Sequence, residues 1–425
     1  METQRRPPPS NWRTYLMILG PGIAIAATGV GAGDMVAATV SGARYGFAIV
    51  WAAAVGALLK FVLNEGLARW QLATGTTLLE GWVQRMGRWV QYYFLVYLVL
   101  WSFVIGGALI SACGLAAHAI APGASVKTWG VIHSLGAMGV VLLARYKHFE
   151  RLMKIFIGVM FITLLGCAFW ISPPVATLKN SVTQISIPAG SPRFILSVIG
   201  GVGGSLTLLA YGYWIRERGW EGTQWIKAVR LDLGVAYILT GIFGLALMVL
   251  ASQVLHTKGV VIGKSSAVIQ MAAMLRDAIG PVGHWIFLIG FWGAVTTSML
   301  GVWQGVPYLF CDFVGLMKRL PEERHKAMLS SRSTWYRGYL LWLAVPPIAL
   351  LFLNRPVGLV VVYSIIGALF MPFLAGTLLY MNSRREWVGD ELRNSWLTIT
   401  LLVLALALFG YLCTNEVIGA LHKLF

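Results

Sequence analysis

Gly29-Val30-Gly31-Ala32-Gly33-Asp34 interrupts an apolar segment that runs from Thr14 to Ala43. Glycine inside a helix costs about 1 kcal/mol relative to alanine, so glycines at three alternate positions predict a break here. A carboxylate, Asp34, follows at once, and a charge at membrane depth marks a functional position by default. A second cluster, Gly200-Gly201-Val202-Gly203-Gly204-Ser205, interrupts the segment from Phe194 to Ile215. Small residues also let membrane helices pack closely, and one cluster alone would mean no more than that. Two glycine-broken spans at corresponding places in two halves point further, to the midplane binding site of a secondary transporter.

The composition sets the class. Of 425 residues, 58% are hydrophobic and 12% charged, and the mean hydropathy is +0.73. That is a polytopic, all-α membrane protein rather than a soluble domain. The four cysteines, Cys113, Cys167, Cys311 and Cys413, have neither metal-ligand nor disulfide spacing and read as small core residues. The first apolar run is too long for a cleavable signal peptide. An enzyme is not expected: there is no His-rich metal cluster and no Ser-His-Asp pattern, and the glycine runs lack the Lys-Ser/Thr of a phosphate loop. No permanently bound cofactor is expected either.

Apolar stretches of about 17 or more residues with few charges give eleven candidate spans. They are Thr14–Ala43, Phe47–Trp70, a stretch within Trp89–Ala121, Thr128–Ala144, Ile155–Leu178, Phe194–Ile215, Leu233–His256, Val282–Cys311, Gly338–Asn354, Pro356–Ser383 and Ser395–Thr414. With the N-terminus cytoplasmic, 23 of the 33 Lys and Arg fall on the inside and 9 outside, with Lys60 assigned to neither. This bias follows the positive-inside rule. It also explains the formal net charge of +17 as a membrane-facing pattern, with no nucleic-acid partner needed. A cytoplasmic membrane of the bacterial type is expected, with the N-terminus inside and the C-terminus outside. Breaks in the first and sixth spans divide the chain into a tail (1–13), a five-helix unit (14–178), a second five-helix unit (194–383) and an extra C-terminal helix (395–425). An odd number of spans per unit inverts one unit relative to the other. No oligomeric state is demanded, and a monomer is compatible with the pattern.

Several motifs carry a family resemblance. Gly20-Pro21-Gly22, then Gly31-Ala32-Gly33-Asp34, then Leu67-Ala68-Arg69 and Ala73-Thr74-Gly75 resemble the opening of the NRAMP (natural resistance-associated macrophage protein) family of divalent-metal transporters. Gly203-Gly204-Ser205-Leu206-Thr207 is similar to that family's sixth-span Gly-Ala-Thr-x-Met. The eighth span (Gly290 to Gly305) and the tenth (Leu369-Phe370-Met371-Pro372-Phe373, then Asn382-Ser383-Arg384-Arg385) are also similar. The resemblance covers nearly the whole chain. It implies eleven spans of the leucine-transporter type, a five-plus-five inverted repeat with one extra helix, working by alternating access on a divalent cation.

The departures from the family pattern bear on substrate. Where the family has Asp-Pro-Gly-Asn, this chain reads Gly31-Ala32-Gly33-Asp34, so the metal-binding Asp becomes Gly31 and the Asn becomes Asp34. The sixth-span Met-Pro-His reads Thr207-Leu208-Leu209. The carbonyl that helps bind metal in the family would belong to Gly204, and the tenth-span Gln falls near Ser364. The third span has no Asp or Glu between Gly87 and Val126, which leaves proton coupling without its expected carriers. Asp34, Thr207 and the carbonyls of Gly31 and Gly204 form a hard-oxygen set suited to Mg²⁺ or Ca²⁺ more than to softer metals. One carboxylate is little to hold a divalent ion. Two alternatives therefore stay open: a carrier of an organic solute or monovalent ion, and a transport-dead receptor or scaffold.

Other polar residues have plainer readings. Glu65 is a gate carboxylate or, at i,i+4 and i,i+5, the partner of Arg69 or Lys60. Asp232 and Asp312 read as interfacial partners of arginine, and Arg216–Arg230 as a solvated continuation of the sixth helix. Thr296-Thr297-Ser298 either lines the pathway or bonds between helices.

Overall fold

The computed structural model describes residues 19–143, 146–171, 173, 176, 179–180, 183–201, 204–257, 267–353 and 356–424. The tail 1–13 lies outside them. Among the described residues the chain is helical, without strands.

The first span is a bent pair, α1 (Pro21–Gly29) and α2 (Ala32–Tyr45). The second to fifth spans are built on α3 (Trp51–Thr74), α5 (Arg88–Ile120), α6 (Val126–Leu143) and α7 (Tyr146–Trp170), with the short α4 (Leu78–Arg85) between the second and third. The sixth is again in two pieces, α8 (Pro192–Gly201) and α9 (Ala210–Glu217), joined through a 3-10 turn at Leu206–Leu209. Then follow α10 (Ile226–Ala251), α11 (Ala267–Ile279), α12 (Pro281–Met317), α13 (Glu322–Leu329), α14 (Thr334–Ala344), α15 (Pro356–Met381), α16 (Arg385–Val388) and α17 (Trp396–Leu424). Among the described residues eight helical stretches are long and apolar enough to cross a membrane, counting the sixth span across its break (Phe194–Glu217) and Glu322–Leu353, which joins α13, α14 and the 3-10 turn after them. The bent pair and two shorter apolar helices, Leu369–Met381 and Trp396–Tyr411, complete the eleven segments expected from sequence.

The broken spans lie inside the bundle. α1 packs against α7, α10 and α12, and α2 against α8 and α10. The long helices α5, α7 and α12 surround them, and apolar side chains such as Leu143, Ile162 and Phe169 are exposed on the outer surface. An apolar outer surface fits contact with lipid.

The polar continuation expected at Arg216–Arg230 is corrected. The sixth helix ends at Glu217, and the chain turns through Gly219 and Gly222, both with positive φ (69° and 84°). α10 then starts at Ile226, so Arg230 and Asp232 belong to the seventh span. Arg216 meets Glu80 of α4 at 3.5 Å, and Arg218 pairs with Glu150 of α7, which also takes Lys154 at 2.7 Å. These arginines tie neighbouring helices together at one end of the bundle.

Candidate functional site

Each half of the first span ends where its glycines predict. α1 stops at Gly29, Val30 (φ −81°, ψ 88°) and Gly31 (φ −132°, ψ −162°) leave the helical region, and the two halves differ in direction by 55°. A helix end leaves unpaired carbonyls on one side of the break and unpaired amides on the other. The Ser298 hydroxyl of α12 donates to one of those carbonyls, Thr28 O, at 2.7 Å. Asp34 falls in the first turn of α2, where the positive end of the helix favours an anion, and it is only 7% exposed.

The sixth span breaks opposite. Gly204 sits at φ +78°, a backbone region that disfavours side chains. A Cβ there would lie 2.7 Å from Thr207 Oγ1 and 3.3 Å from Gly29 Cα, so only glycine lets the two breaks approach this closely. Between them is a cavity of about 20 Å³, room for one water-sized occupant. Gly31, Asp34, Gly204, Thr207 and Ser298 line it, together with Thr28, Ser205 and Gly367, and Ile105, Leu109 and Val302 supply apolar wall. Five residues singled out from sequence thus converge on one space. A second, smaller cavity touches Asp34 from another side, beside Thr240 and Phe243.

One residue at this site was not expected. Lys60, mid-way along α3, is fully buried and its ammonium donates to Gly204 O. The Asp34 carboxylate is the charge that acts on it, and its Nζ lies 6.0 Å from the centre of the Phe409 ring of α17. A buried ammonium is unfavourable unless a charge and hydrogen bonds compensate it, and Asp34 with Gly204 O does both. Lys60 therefore enters the site as a built-in cation. The sequence signal was present: it is the one Lys or Arg that fits neither membrane face, and it follows the apolar run 51–59 in the first half of its helix.

Lys60 is accordingly not the partner of Glu65. Glu65 is held by Arg69 Nε at 3.2 Å and by Arg230 at 2.9 Å, and it lies off the cavity. Of the threonine-serine run, Thr297 bonds back to its own helix at Gly293 O (3.0 Å) and Ala294 O (2.9 Å), and Thr296 does not line the cavity. Ser364 lies within α15, but its side chain is outside the described set.

The arginine partnership expected for Asp232 and Asp312 is also corrected. Asp232 takes the backbone amides of Gly20 (3.2 Å) and Gly22 (2.6 Å) and the Tyr211 hydroxyl (3.0 Å). It caps α1 from α10, because a helix start buried in the bundle needs an acceptor. Asp312 accepts from the Tyr213 hydroxyl and meets His325 Nε2 at 3.0 Å. Among the described residues no group of three or more His, Cys, Asp or Glu could hold a metal ion.

Two broken helices meeting at a buried carboxylate, inside an eleven-segment apolar bundle, define a membrane transporter of the leucine-transporter architecture. The chain belongs to the Nramp family: the model described as natural resistance-associated macrophage protein-like matches residues 22–418. Among relatives, it is 25% identical over 330 residues to the uncharacterized membrane protein YcsG of Bacillus subtilis, covering 76% of each chain. It is 21% identical over 423 residues to the divalent metal cation transporter MntH of Deinococcus radiodurans, covering 95% of this chain and 91% of that one. Among solved structures, the Eremococcus coleocola manganese transporter, in complex with an aromatic bis-isothiourea substituted compound, aligns with a TM-score of 0.75 at 14% identity. That alignment covers 97% of this chain and 88% of that one. MhsT in complex with L-phenylalanine aligns with a TM-score of 0.54 at 15% identity, over 96% and 99% of the two chains. At such identities the structural likeness establishes the fold.

Proposed function

We propose that this protein is a secondary carrier that moves a divalent cation such as Mg²⁺ or Mn²⁺ by alternating access, through the space between the two helix breaks. The observation that carries this reading is the placement of Asp34. It stands at the start of the second half of the broken first span, beside a cavity sized for a single ion. Asp34 is the charged ligand, and Thr207, Gly31 O and Gly204 O complete a hard-oxygen set. Mg²⁺ is commonly held through only one or two carboxylates, so a site with one is compatible with it. The two five-helix units rock about this point, with the N-terminus cytoplasmic, the C-terminus outside and the bilayer as the standing partner. The relatives named as divalent metal cation transporters support the cargo class.

One observation favours the rival cargo. Asp34 and Lys60 bring one formally anionic and one formally cationic group to this region, which suits a monovalent or zwitterionic solute better than a bare divalent ion. Flux separates the two. Purified protein in liposomes is expected to take up Mn²⁺ or Mg²⁺ along an applied gradient, and Asp34→Ala to abolish uptake. Metal flux that survives Asp34→Ala would defeat the assignment of the site, and absence of any metal flux would turn the reading to the rival.

A further inference from the structure

The Lys60 ammonium and a transported cation need the same oxygen. Lys60 donates to Gly204 O, an atom that the proposed site requires as a ligand, and Asp34 is the carboxylate available to either cation. The cavity between the breaks has room for one small occupant, and Asp34 and Gly204 both border it. Lys60 itself is completely enclosed, packed towards Phe409, with its stem anchored mid-way along a 24-residue helix. An ammonium held there resembles a bound monovalent cation that cannot leave.

We infer that Lys60 is a tethered surrogate cation: its ammonium occupies Gly204 O at the edge of the cation seat that Asp34 borders, and a divalent ion gains that oxygen only by displacing it. Lys60 is thus a specificity-determining residue that weakens metal binding and lets the site close with no ion present. The inference rests on the reading of this space as the cation site. The physical reason is charge and geometry together. A divalent ion beside a retained ammonium meets like charge at contact distance, in surroundings that screen poorly. Moving the ammonium away strips it of its acceptor and its counter-charge at once. Methionine at the same position fills similar volume without charge, leaves Asp34 unneutralised, and frees Gly204 O for metal.

The test is Mn²⁺ binding to the purified full-length protein by calorimetry, alongside thermal melting with and without Mn²⁺. The variants are Lys60→Met, Lys60→Gln, Lys60→Arg and the double variant Lys60→Met/Asp34→Ala. Expected are weak binding by the wild type and at least about tenfold tighter binding by Lys60→Met and Lys60→Gln. Mn²⁺ should raise the melting temperature of those two variants more than that of the wild type. Lys60→Arg, which keeps the charge, should show no gain, and the double variant should lose it. Lys60→Met and Lys60→Gln that melt cooperatively yet bind no tighter than wild type overturn the inference. If Asp34-dependent binding persists in that case, the cation site stands without a surrogate. If no variant binds metal, the site assignment falls as well. Should neither neutral variant fold, the wild-type titration decides: micromolar, Asp34-dependent Mn²⁺ binding refutes the surrogate, and binding only in the millimolar range supports it.

Discussion

Replacing Asp232 by asparagine should loosen the start of the broken first span. In the folded protein this carboxylate is 1% exposed and accepts from Gly20 N, Gly22 N and the Tyr211 hydroxyl. Gly20 is served by one carboxylate oxygen, and Gly22 and Tyr211 by the other. Asparagine has the same shape but a single acceptor oxygen, so at least one buried donor is left facing an amide NH₂. An unsatisfied buried donor costs about 1–3 kcal/mol. Loss of the negative charge at a helix start removes up to about 2 kcal/mol more. The close seating of α1 on α10 leaves little room to relax, since a Cβ on Gly22 would lie 2.4 Å from Asp232 O. Together these give a loss of roughly 1–5 kcal/mol, which at about 2 °C per kcal/mol is a fall of some 2–10 °C in melting temperature. The assay is thermal unfolding of purified protein in detergent. Asp390→Asn is the internal control: its 2.6 Å pair with Arg385 is more than half exposed on both sides. Surface pairs of that kind are worth about 0–1 kcal/mol. Equal melting temperatures for the Asp232 and Asp390 variants would refute the capping argument.

Three other expectations follow from particular contacts. A Cβ on Gly31 would lie 2.1 Å from Ser298 Oγ, so Gly31→Ala should destabilise by about 1–3 kcal/mol and impair uptake, with Ser298→Ala recovering part of the loss in the double variant. A double variant no better than Gly31→Ala would show that the clash is not the cause. Burial holds the Glu80 carboxyl above its ordinary value of 4.5, with Arg216 opposing and Asp312 adding to the rise. A raised acid stabilises the fold fully below its unfolded value, and that contribution is lost as pH rises through the folded value. Wild type should therefore lose stability from pH 4.5 upward relative to Glu80→Gln, which keeps the Thr77 capping box, and parallel melting-versus-pH curves would contradict this. For orientation, cysteine introduced at the exposed Gly123 should label from outside intact cells, and cysteine at the exposed Lys318 only after permeabilisation. Cys113, Cys167 and Cys311 are buried and give little background, and Cys413 is replaced by serine. The reverse labelling pattern would invert the topology.

Much was legible along the chain because membranes constrain sequence strongly. Backbone groups must be satisfied within helices, so the apolar segments announce themselves by length and composition. The glycine runs at Gly29–Gly33 and Gly200–Gly204 marked the helix breaks, since local backbone freedom is a property of single residues. Asp34 stood out because a lone carboxylate in an apolar run has few explanations. Less legible were pairings across helices. Asp232 and Asp312 lie where arginines are plentiful in sequence, yet Asp232 takes backbone amides and Tyr211, and Asp312 takes Tyr213 and His325. Glu65 and Lys60 share a helix at near-contact spacing, but five residues set them on different sides, and each finds its partner elsewhere.

The sequence by itself determined an eleven-segment helical membrane protein, broken in its first and sixth spans, with Asp34 at one break. Those features depend on hydropathy, backbone freedom and charge at single positions. Only the tertiary structure decided that the breaks meet, that Ser298 and Gly367 join them from other helices, and that Lys60 reaches Gly204 from the second span. The physical reason is that a buried ammonium is tolerated only where a carboxylate and a carbonyl converge on it, and that convergence involves three segments far apart in the chain.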